Sequence, residues 1–256
     1  MNDFIQGDKF AALADNVKIF YTPTHMVNTF FKRMPTKEPF ILISHNSDGC
    51  VEPVMTRNDS ANVNLMPDNL IHWFSQNVNV VNERVESIPL GLENNKWLRR
   101  VDKIGKMRYK LSEEKKFKNL LYINHNVDTN YLKRNGIYEL FAKKCNCWLT
   151  IEKGSNGNNF DSYIDNVYNH KFIICPEGNG IDTVRTWEAL YMGSIPIEKR
   201  NINNQFYKEL PILFVEDWEQ VTEEFLIKEY QRIKGISWNY DLLTFNYWKN
   251  KIYGKR

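Results

Sequence analysis

The sequence predicts an α/β protein with parallel, doubly wound sheets. Short apolar runs of strand length alternate with segments of helical spacing along the chain, which is the pattern of parallel strands connected by helices. The composition agrees, since 42% hydrophobic and 25% charged residues are ordinary globular values and exclude wholesale disorder. The 256 residues suffice for one large domain or two modest ones.

The first half of the chain contains three predicted strands and two predicted helices. The strands are short apolar runs, at residues 17–21, 40–44 and 85–89. Residues 25–34 and 70–75 have the spacing of helices instead. This alternation predicts a small α/β unit before the middle of the chain.

A segment rich in lysine and arginine, residues 96–118, separates the two halves. Such a segment is typical of a solvated helix face at a domain boundary, and a weak peripheral contact with an anionic membrane surface is the alternative. We place the boundary within it, which gives an N-terminal domain of residues 1–112 and a C-terminal domain of residues 113–256.

The second half alternates more clearly between strands and helices. Its predicted strands are apolar runs at residues 119–124, 147–152, 171–175, 194–197 and 212–215. Its predicted helices carry apolar residues on one side, at residues 130–144, 160–169, 183–192 and 238–253. Two α/β units joined by a connector leave a cleft at the carboxyl ends of their strands, where open parallel sheets bind ligands.

Charge, chain ends and cysteines exclude several classes of protein. Lys and Arg number 34 against 31 Asp and Glu, and this net charge of +3 is too balanced for a dedicated nucleic-acid binder. Residues 1–10 do not read as a secretory signal, and no run approaches the ~18 apolar residues of a membrane span. The 4 cysteines have no metal-ligand spacing, so we expect reduced, buried thiols, no metal and a cytoplasmic protein.

The most informative segment is a strand, a glycine loop, a helix and a second strand at residues 171–199. The strand ends at Cys175, and the glycines of the loop can adopt backbone angles that side chains forbid. Asp182 or Thr183 is the expected N-cap of the helix. Backbone N–H groups and the positive end of the helix therefore converge just past Gly180, where a diphosphate could bind.

Arg185 and Glu188 lie three residues apart on this helix and share a face. An arginine in the first turn can bind two oxygens of an anion, and a carboxylate one turn further can accept two hydroxyl hydrogens of a ribose. An ordinary salt bridge between the two, beside a structural glycine turn, is the alternative. A dinucleotide site is disfavoured because position 183 is Thr and the third glycine of G-x-G-x-x-G is missing.

The run CPEGNGIDTVRTWEALYMGSIPI resembles the C-terminal domain of exostosin-like glycosyltransferases, which form glycosyltransferase family 47 with small viral and bacterial relatives. The shared pattern is G-N-G-x-D, R-x-W-E-A-L and G-x-I-P-I. The resemblance extends more loosely, in matching order, to residues 44–48, 73–77, 88–97 and 123–134. Within the last stretch two roles stay open for Arg134, a contact with the donor or a contact with the connector. His125 is expected to face solvent, and a place in the pocket lining is the alternative.

This resemblance implies a GT-B architecture, in which two Rossmann-like domains face each other across a cleft and a C-terminal helix crosses back to the first domain. It implies an inverting hexosyl- or pentosyltransferase that needs no metal or other cofactor and transfers a sugar from a nucleotide-sugar, UDP-sugars being favoured, to a glycan hydroxyl. The donor-binding residues that it implies are Arg185, Glu188, Gly178, Asn179, Gly180, Asp182, Thr183, Asn124 and Asn126. The chain departs from Golgi exostosins in having no membrane anchor and a very short acceptor-side domain.

An inverting transfer needs a base for the acceptor hydroxyl proton. The residues between His45 and Asp48 directly follow the predicted strand 40–44 and so lie at the cleft edge. Asp48 is one candidate base; His45 is the other, or it orients the acceptor. The alternative is a plain turn, because Asn, Ser, Asp and Gly are turn residues.

Two rival functions remain open from the sequence. One is a non-catalytic carbohydrate-binding protein on a decayed transferase fold, which would bind glycans without nucleotide. The other is a sugar-nucleotide epimerase or hydrolase of the same architecture, which would consume the donor without an acceptor. The expected partners are therefore a nucleotide-sugar and a glycan, and no nucleic acid.

Overall fold

The computed structural model of the chain describes residues 3–33, 36–94, 102–144, 147–153 and 160–255. Its strands are β1 (Ile19–Pro23), β2 (Phe40–His45), β3 (Val51–Glu52), β4 (Ala61–Asn62), β5 (Leu70–Ser75), β6 (Val85–Ser87), β7 (Asn119–Ile123), β8 (Leu149–Ile151), β9 (His170–Ile174), β10 (Ile195–Lys199) and β11 (Leu213–Val215). Its α-helices are α1 (Gly7–Ala11), α2 (Val27–Arg33), α3 (Lys103–Leu111), α4 (Tyr131–Arg134), α5 (Ile137–Ala142), α6 (Phe160–Asn169), α7 (Val184–Tyr191), α8 (Glu223–Lys234) and α9 (Phe245–Tyr253). Every strand pair within the sheets is parallel, which confirms the predicted α/β class.

The N-terminal sheet has the strand order β1-β2-β5-β6. β2 is buried along its whole length and pairs with β5 so that Ile43 lies opposite Phe74. The prediction of a helix at residues 70–75 is wrong, because this segment is the interior strand β5. Trp73 and Phe74 are both fully buried on opposite faces of it, and a short apolar run buried on both faces cannot be distinguished from a helix by spacing.

The C-terminal sheet has the strand order β11-β10-β9-β7-β8. Since β8 lies on one side of β7 and the three later strands lie on the other, the winding direction reverses between β7 and β9. Open parallel sheets bind ligands at such a switch point, beside the carboxyl ends of the strands. A ligand is therefore expected to bind at the loops that follow Ile123 and Ile174.

The predicted helix at residues 130–144 is two shorter helices in the structure, α4 and α5. The break falls at Gly136, whose φ of 81° is in the left-handed region that glycine tolerates. α4 ends at Arg134, and this early end leaves the arginine close to the switch point.

The apolar core contains residues from both halves of the chain. Its largest cluster includes Ile41 and Phe74 of the N-terminal sheet together with Tyr122, Ile173 and Trp187. Buried hydrogen bonds also join the halves. Asn203 Oδ1 accepts from the Val78 N–H at 2.8 Å and from the Ser87 hydroxyl at 2.8 Å. The domain boundary near residue 112 stays a prediction.

The predicted tail helix begins at Phe245, after a 3-10 turn at Tyr240–Leu243. Its first residue contacts the start of the chain: the Phe245 N–H donates to the Asp3 carbonyl at 3.1 Å, and the Phe245 ring lies 5.3 Å from that of Phe10. Lys251 of the same helix forms an ion pair with Glu86 of β6. The last helix thus packs on residues of the N-terminal half.

Carboxylates neutralise several lysines of the basic connector. Lys106 pairs with Asp161 at 2.6 Å, and Lys118 pairs with Asp165 at 2.6 Å. Lys110 also pairs with Asp165. This pairing leaves less positive charge for the membrane contact considered above. No α-helix in the described parts of the chain is long and apolar enough to cross a membrane.

Of the cysteines that the structure describes, Cys50 and Cys175 are buried as expected, whereas Cys147 is exposed. Cys145 lies outside the described residues.

Candidate functional site

A cavity of about 570 Å³ opens at the carboxyl edge of the C-terminal sheet, and we call it the C-terminal cavity. Its walls come from the ends of β7, β8 and α4, the start of α6, the first turns of α7, and Glu93 and Lys103. It therefore lies at the topological switch point, where a parallel sheet of this order binds ligands.

Arg185 lines this cavity from the first turn of α7. Its half-buried guanidinium packs over the Tyr163 ring, 5.1 Å from the ring centroid. It makes no hydrogen bond or ion pair within the described part of the chain, and its Nη1 atom is buried without a partner. The alternative of a salt bridge with Glu188 is therefore not realised. The buried Nη1 therefore keeps an N–H donor from which an anionic ligand of the cavity can accept.

Arg134 supplies a second cationic group to the same cavity. This buried guanidinium donates to the carbonyl oxygens of Glu177 at 2.8 Å, Asn126 at 2.8 Å and Pro176 at 3.3 Å. It pairs with no described carboxylate, and burial together with the Arg185 charge lowers its pKa to about 10. Of the two roles left open for Arg134, its hydrogen bonds do not go to the connector, because they tie together the loops after β7 and β9.

Glu188 lies one turn beyond Arg185 on α7 and lines the same cavity. Its buried Oε2 accepts a hydrogen bond from the Tyr163 hydroxyl at 2.7 Å, and Oε1 has no partner among the described residues. Burial raises the pKa of this carboxyl. The carboxylate is thus oriented by the tyrosine and keeps acceptor capacity for ligand hydroxyls.

A second carboxylate, Glu152, lines the cavity directly after β8. Its Oε2 accepts from the Tyr122 hydroxyl at 2.7 Å and its Oε1 accepts from Asn166 Nδ2 at 2.9 Å. It has no cationic partner among the described residues. Glu152 is not among the site residues predicted from the sequence. Its position at the end of a predicted strand, on the ligand-binding edge of the sheet, is the feature that could have identified it.

Only one of the two predicted asparagines reaches the cavity. Asn124 lines it, immediately after β7. The Asn126 side chain instead caps the turn at Val127–Thr129 by accepting from the Asp128 N–H at 3.1 Å. Its carbonyl accepts from Arg134, so Asn126 positions a cavity residue and does not itself line the wall.

The glycine loop of residues 178–180 packs beside the cavity and is not part of its lining. Neither glycine has a positive φ, so this loop does not use the left-handed backbone region that glycine tolerates best. Close approach explains the glycines: a Cβ at Gly180 would lie 2.5 Å from Asn77 Nδ2, and one at Gly178 would lie 3.1 Å from Arg134 Nη2. Arg57 holds the loop from the N-terminal half by donating to the Asn179 carbonyl.

The two candidate caps of α7 have different positions. Thr183 is the N-cap by backbone geometry, without a side-chain capping bond, and it lines the cavity. Asp182 lies outside the lining; its carboxylate accepts from the Leu90 N–H at 2.8 Å and the Trp187 indole N–H at 2.8 Å. Burial raises the pKa of Asp182 to about 7. The structure thus gives this carboxylate contacts that join the two halves.

His125 is buried, so the expectation of a solvent-facing ring is wrong. The ring stacks on Tyr138 with centroids 4.4 Å apart, and neither ring nitrogen makes a hydrogen bond among the described residues. Burial and the charges of Arg185 and Arg134 lower its pKa to about 3.

A smaller cavity of about 290 Å³ lies after β2, and we call it the N-terminal cavity. Both candidate bases line it, and it shares Glu93 and Val184 with the C-terminal cavity. The two cavities therefore adjoin at the first turn of α7. This arrangement brings the predicted base group next to the predicted donor group.

The two candidate bases differ in whether they have an acceptor atom without a hydrogen-bond partner. His45 is buried, its Nδ1 accepts from the Asn46 N–H at 2.8 Å, and its Nε2 lies 3.0 Å from the Pro89 carbonyl. Because a carbonyl cannot donate, Nε2 carries the hydrogen, and burial lowers the pKa of this neutral ring. Asp48 is exposed and makes no hydrogen bond or ion pair with the described residues. Asp48 alone of the two has free lone pairs.

Among the described residues, no group of three or more His, Cys, Asp or Glu side chains is arranged to hold a metal ion. The prediction of metal-independent donor binding stays a prediction. No family model and no curated protein matches this chain. The resemblance to glycosyltransferase family 47 therefore also stays a prediction from the motifs.

Proposed function

We propose that the protein is an inverting glycosyltransferase of GT-B architecture that transfers a sugar from a nucleotide-sugar donor to a glycan hydroxyl. The single observation that carries this proposal is the Arg185 guanidinium, which lines the C-terminal cavity and forms no ion pair with any described residue. Two parallel sheets, adjoining cavities and a last helix that packs on the N-terminal half support the architecture.

The diphosphate of the donor binds at the first turn of α7. Arg185 and the free N–H groups of that turn neutralise its charge, and Arg134 adds a second positive charge on the wall of the cavity. The nucleoside then extends along α7 to Glu188, whose carboxylate accepts hydrogens from the ribose diol. These cationic groups also stabilise the nucleoside diphosphate as it departs, which is the role that a metal has in other transferases.

The acceptor binds in the N-terminal cavity. Its hydroxyl oxygen attacks the anomeric carbon as the bond from that carbon to the phosphate oxygen breaks, and the nucleoside diphosphate leaves with the electron pair. Asp48 takes the hydroxyl proton, because its carboxylate lines this cavity and has no competing partner. His45, with both ring nitrogens engaged, holds the loop that carries Asp48.

A turnover assay tests this proposal. The purified chain is incubated with UDP-, GDP-, ADP- and CMP-sugars, a panel of glycans and EDTA, and the products are identified by mass spectrometry. We expect one nucleotide-sugar to yield a glycan one sugar heavier and the free nucleotide. Arg185→Ala should abolish turnover, whereas Arg200→Ala, which removes an exposed arginine paired with Glu216, should not.

Three results would overturn the proposal. Donor consumption without an acceptor would identify a hydrolase, and an altered sugar still attached to its nucleotide would identify an epimerase. Glycan binding without any dependence on nucleotide would identify a non-catalytic carbohydrate-binding protein.

A further inference from the structure

We propose that Glu152 reads the nucleobase of the donor and selects guanine. This inference rests on the proposed function, since it assigns the nucleoside of the same donor. It departs from the resemblance, which favours uridine, and follows from a carboxylate that the motifs do not include.

The position of the base follows from the order of groups in the C-terminal cavity. The phosphates lie at Arg185 and the ribose at Glu188, while the sugar points toward Val184, where the N-terminal cavity begins. The wall that remains is formed by the end of β8 and the start of α6. It offers the carboxylate of Glu152 and the half-buried ring of Phe160. A base can pack on the ring while its edge meets the carboxylate.

The Glu152 carboxylate is held in place for such a contact. Tyr122 donates to one oxygen at 2.7 Å and Asn166 Nδ2 donates to the other at 2.9 Å. Each carboxylate oxygen has two lone-pair directions, so each keeps one for a ligand. Glu152 forms no ion pair with a described residue, so this carboxylate on the cavity wall keeps one acceptor position on each oxygen.

Two adjacent acceptors match only one of the common bases. Guanine carries two neighbouring donors, N1–H and the 2-amino group, which satisfy both oxygens at once. Adenine and cytosine place a ring-nitrogen acceptor beside their amino group, and uracil places its single N–H between two carbonyl oxygens. Those acceptors would face a negative charge, so Glu152 both attracts guanine and repels the other bases.

Titration calorimetry with matched ligands tests this inference. GDP is compared with IDP, which lacks only the 2-amino group, and with UDP, ADP, CDP and inorganic pyrophosphate. We expect GDP to bind about 5- to 150-fold more tightly than UDP, the usual range for a two-point base contact. Over IDP, which keeps N1–H and loses one hydrogen bond, we expect a preference of about threefold to tenfold. The matched variants are Glu152→Gln, which presents one donor and one acceptor, and Glu216→Gln, which changes an exposed glutamate paired with Arg200.

Glu152→Gln should remove the GDP preference over IDP and leave pyrophosphate affinity unchanged, whereas Glu216→Gln should change neither. This design isolates the coupling between the carboxylate and the 2-amino group. Equal binding of GDP and UDP, or an unchanged GDP preference in Glu152→Gln, would overturn the inference while leaving the proposed function intact. Failure of every nucleotide and of pyrophosphate to bind would overturn both.

Discussion

The two sheets differ in how the polar groups at their carboxyl edges are satisfied. After β2 and β5, the side chains of His45 and Gln76 bond to neighbouring loops, and Asn94 bonds to Asn46. After β7 and β9, Arg185 has no hydrogen bond among the described residues and His125 has none from its ring. Within the described residues, the polar groups of the N-terminal edge are thus largely paired with one another, whereas two guanidiniums and two carboxylates of the C-terminal edge lie outside any ion pair.

This difference distinguishes polar side chains that hold the site in one conformation from side chains that are available to a ligand. A paired polar group stabilises one geometry, while an N–H group without a protein partner can gain a hydrogen bond from a ligand. Asp48 is the exception at the N-terminal edge, because its carboxylate is exposed and has no partner among the described residues. We therefore assign proton transfer to Asp48 and diphosphate binding to Arg185, while their paired neighbours hold the loops in place.

The largest expected effect follows from replacing the free carboxylate at the N-terminal edge. Asp48→Asn should lower turnover about 10²- to 10⁴-fold, because the amide cannot take the acceptor proton. Nucleotide affinity should stay unchanged, since Asp48 does not line the C-terminal cavity. Rates and binding are measured on the same preparation. Undiminished turnover would assign the base elsewhere and remove the distinction drawn for this residue.

The next effect concerns a paired carboxylate, Asp182. Burial raises its pKa from 3.8 to about 7, so the folded protein holds a proton there that the unfolded chain has released. Through this group the unfolding free energy is greatest below pH ~4 and falls by roughly a few kcal/mol as the pH rises to ~7. Asp182→Asn cannot ionise and should lose this part of the slope. Urea unfolding between pH 4 and pH 8 measures both curves, and parallel curves would contradict the assignment.

A smaller effect is expected at the tyrosine that orients Glu188. Tyr163→Phe removes the hydrogen bond to Oε2 and should weaken nucleoside diphosphate binding about threefold to tenfold, the worth of one such bond. Pyrophosphate, which has no ribose, should bind as before. Tyr240→Phe alters an exposed tyrosine and is the control. Equal losses for both ligands would show that Tyr163 acts on Arg185 and not on the ribose contact.

The smallest effect is expected at the connector. Lys106 and Asp161 form an exposed ion pair, so Lys106→Ala should change the unfolding free energy by less than about 1 kcal/mol. Because Lys106, Lys110 and Lys118 form ion pairs, we also expect the protein not to sediment with anionic lipid vesicles. Sedimentation of the parent protein that Lys106→Ala abolishes would show that this charge remains available.

The sequence predicted the parts of the molecule that depend on local pattern. Helix α6 falls at its predicted residues, and the helix that carries Arg185 and Glu188 lies within one residue of its expected ends. The spacing of β5 predicts a helix because burial on both faces removes the alternation of apolar and polar residues that identifies a strand. Arg134 and Glu152 could not be assigned, since their approach to Arg185 depends on the order of β7, β8 and β9 in the sheet, which spacing does not specify.

The proposed donor site requires that Arg185 binds the diphosphate. Calorimetric titration with inorganic pyrophosphate tests it without any contribution from base, ribose or sugar, on the parent protein, Arg185→Gln and the control Arg200→Gln. We predict binding to the parent and the control, and at least about thirtyfold weaker binding to Arg185→Gln. Equal pyrophosphate affinity in all three proteins would contradict the assignment of Arg185 to the diphosphate.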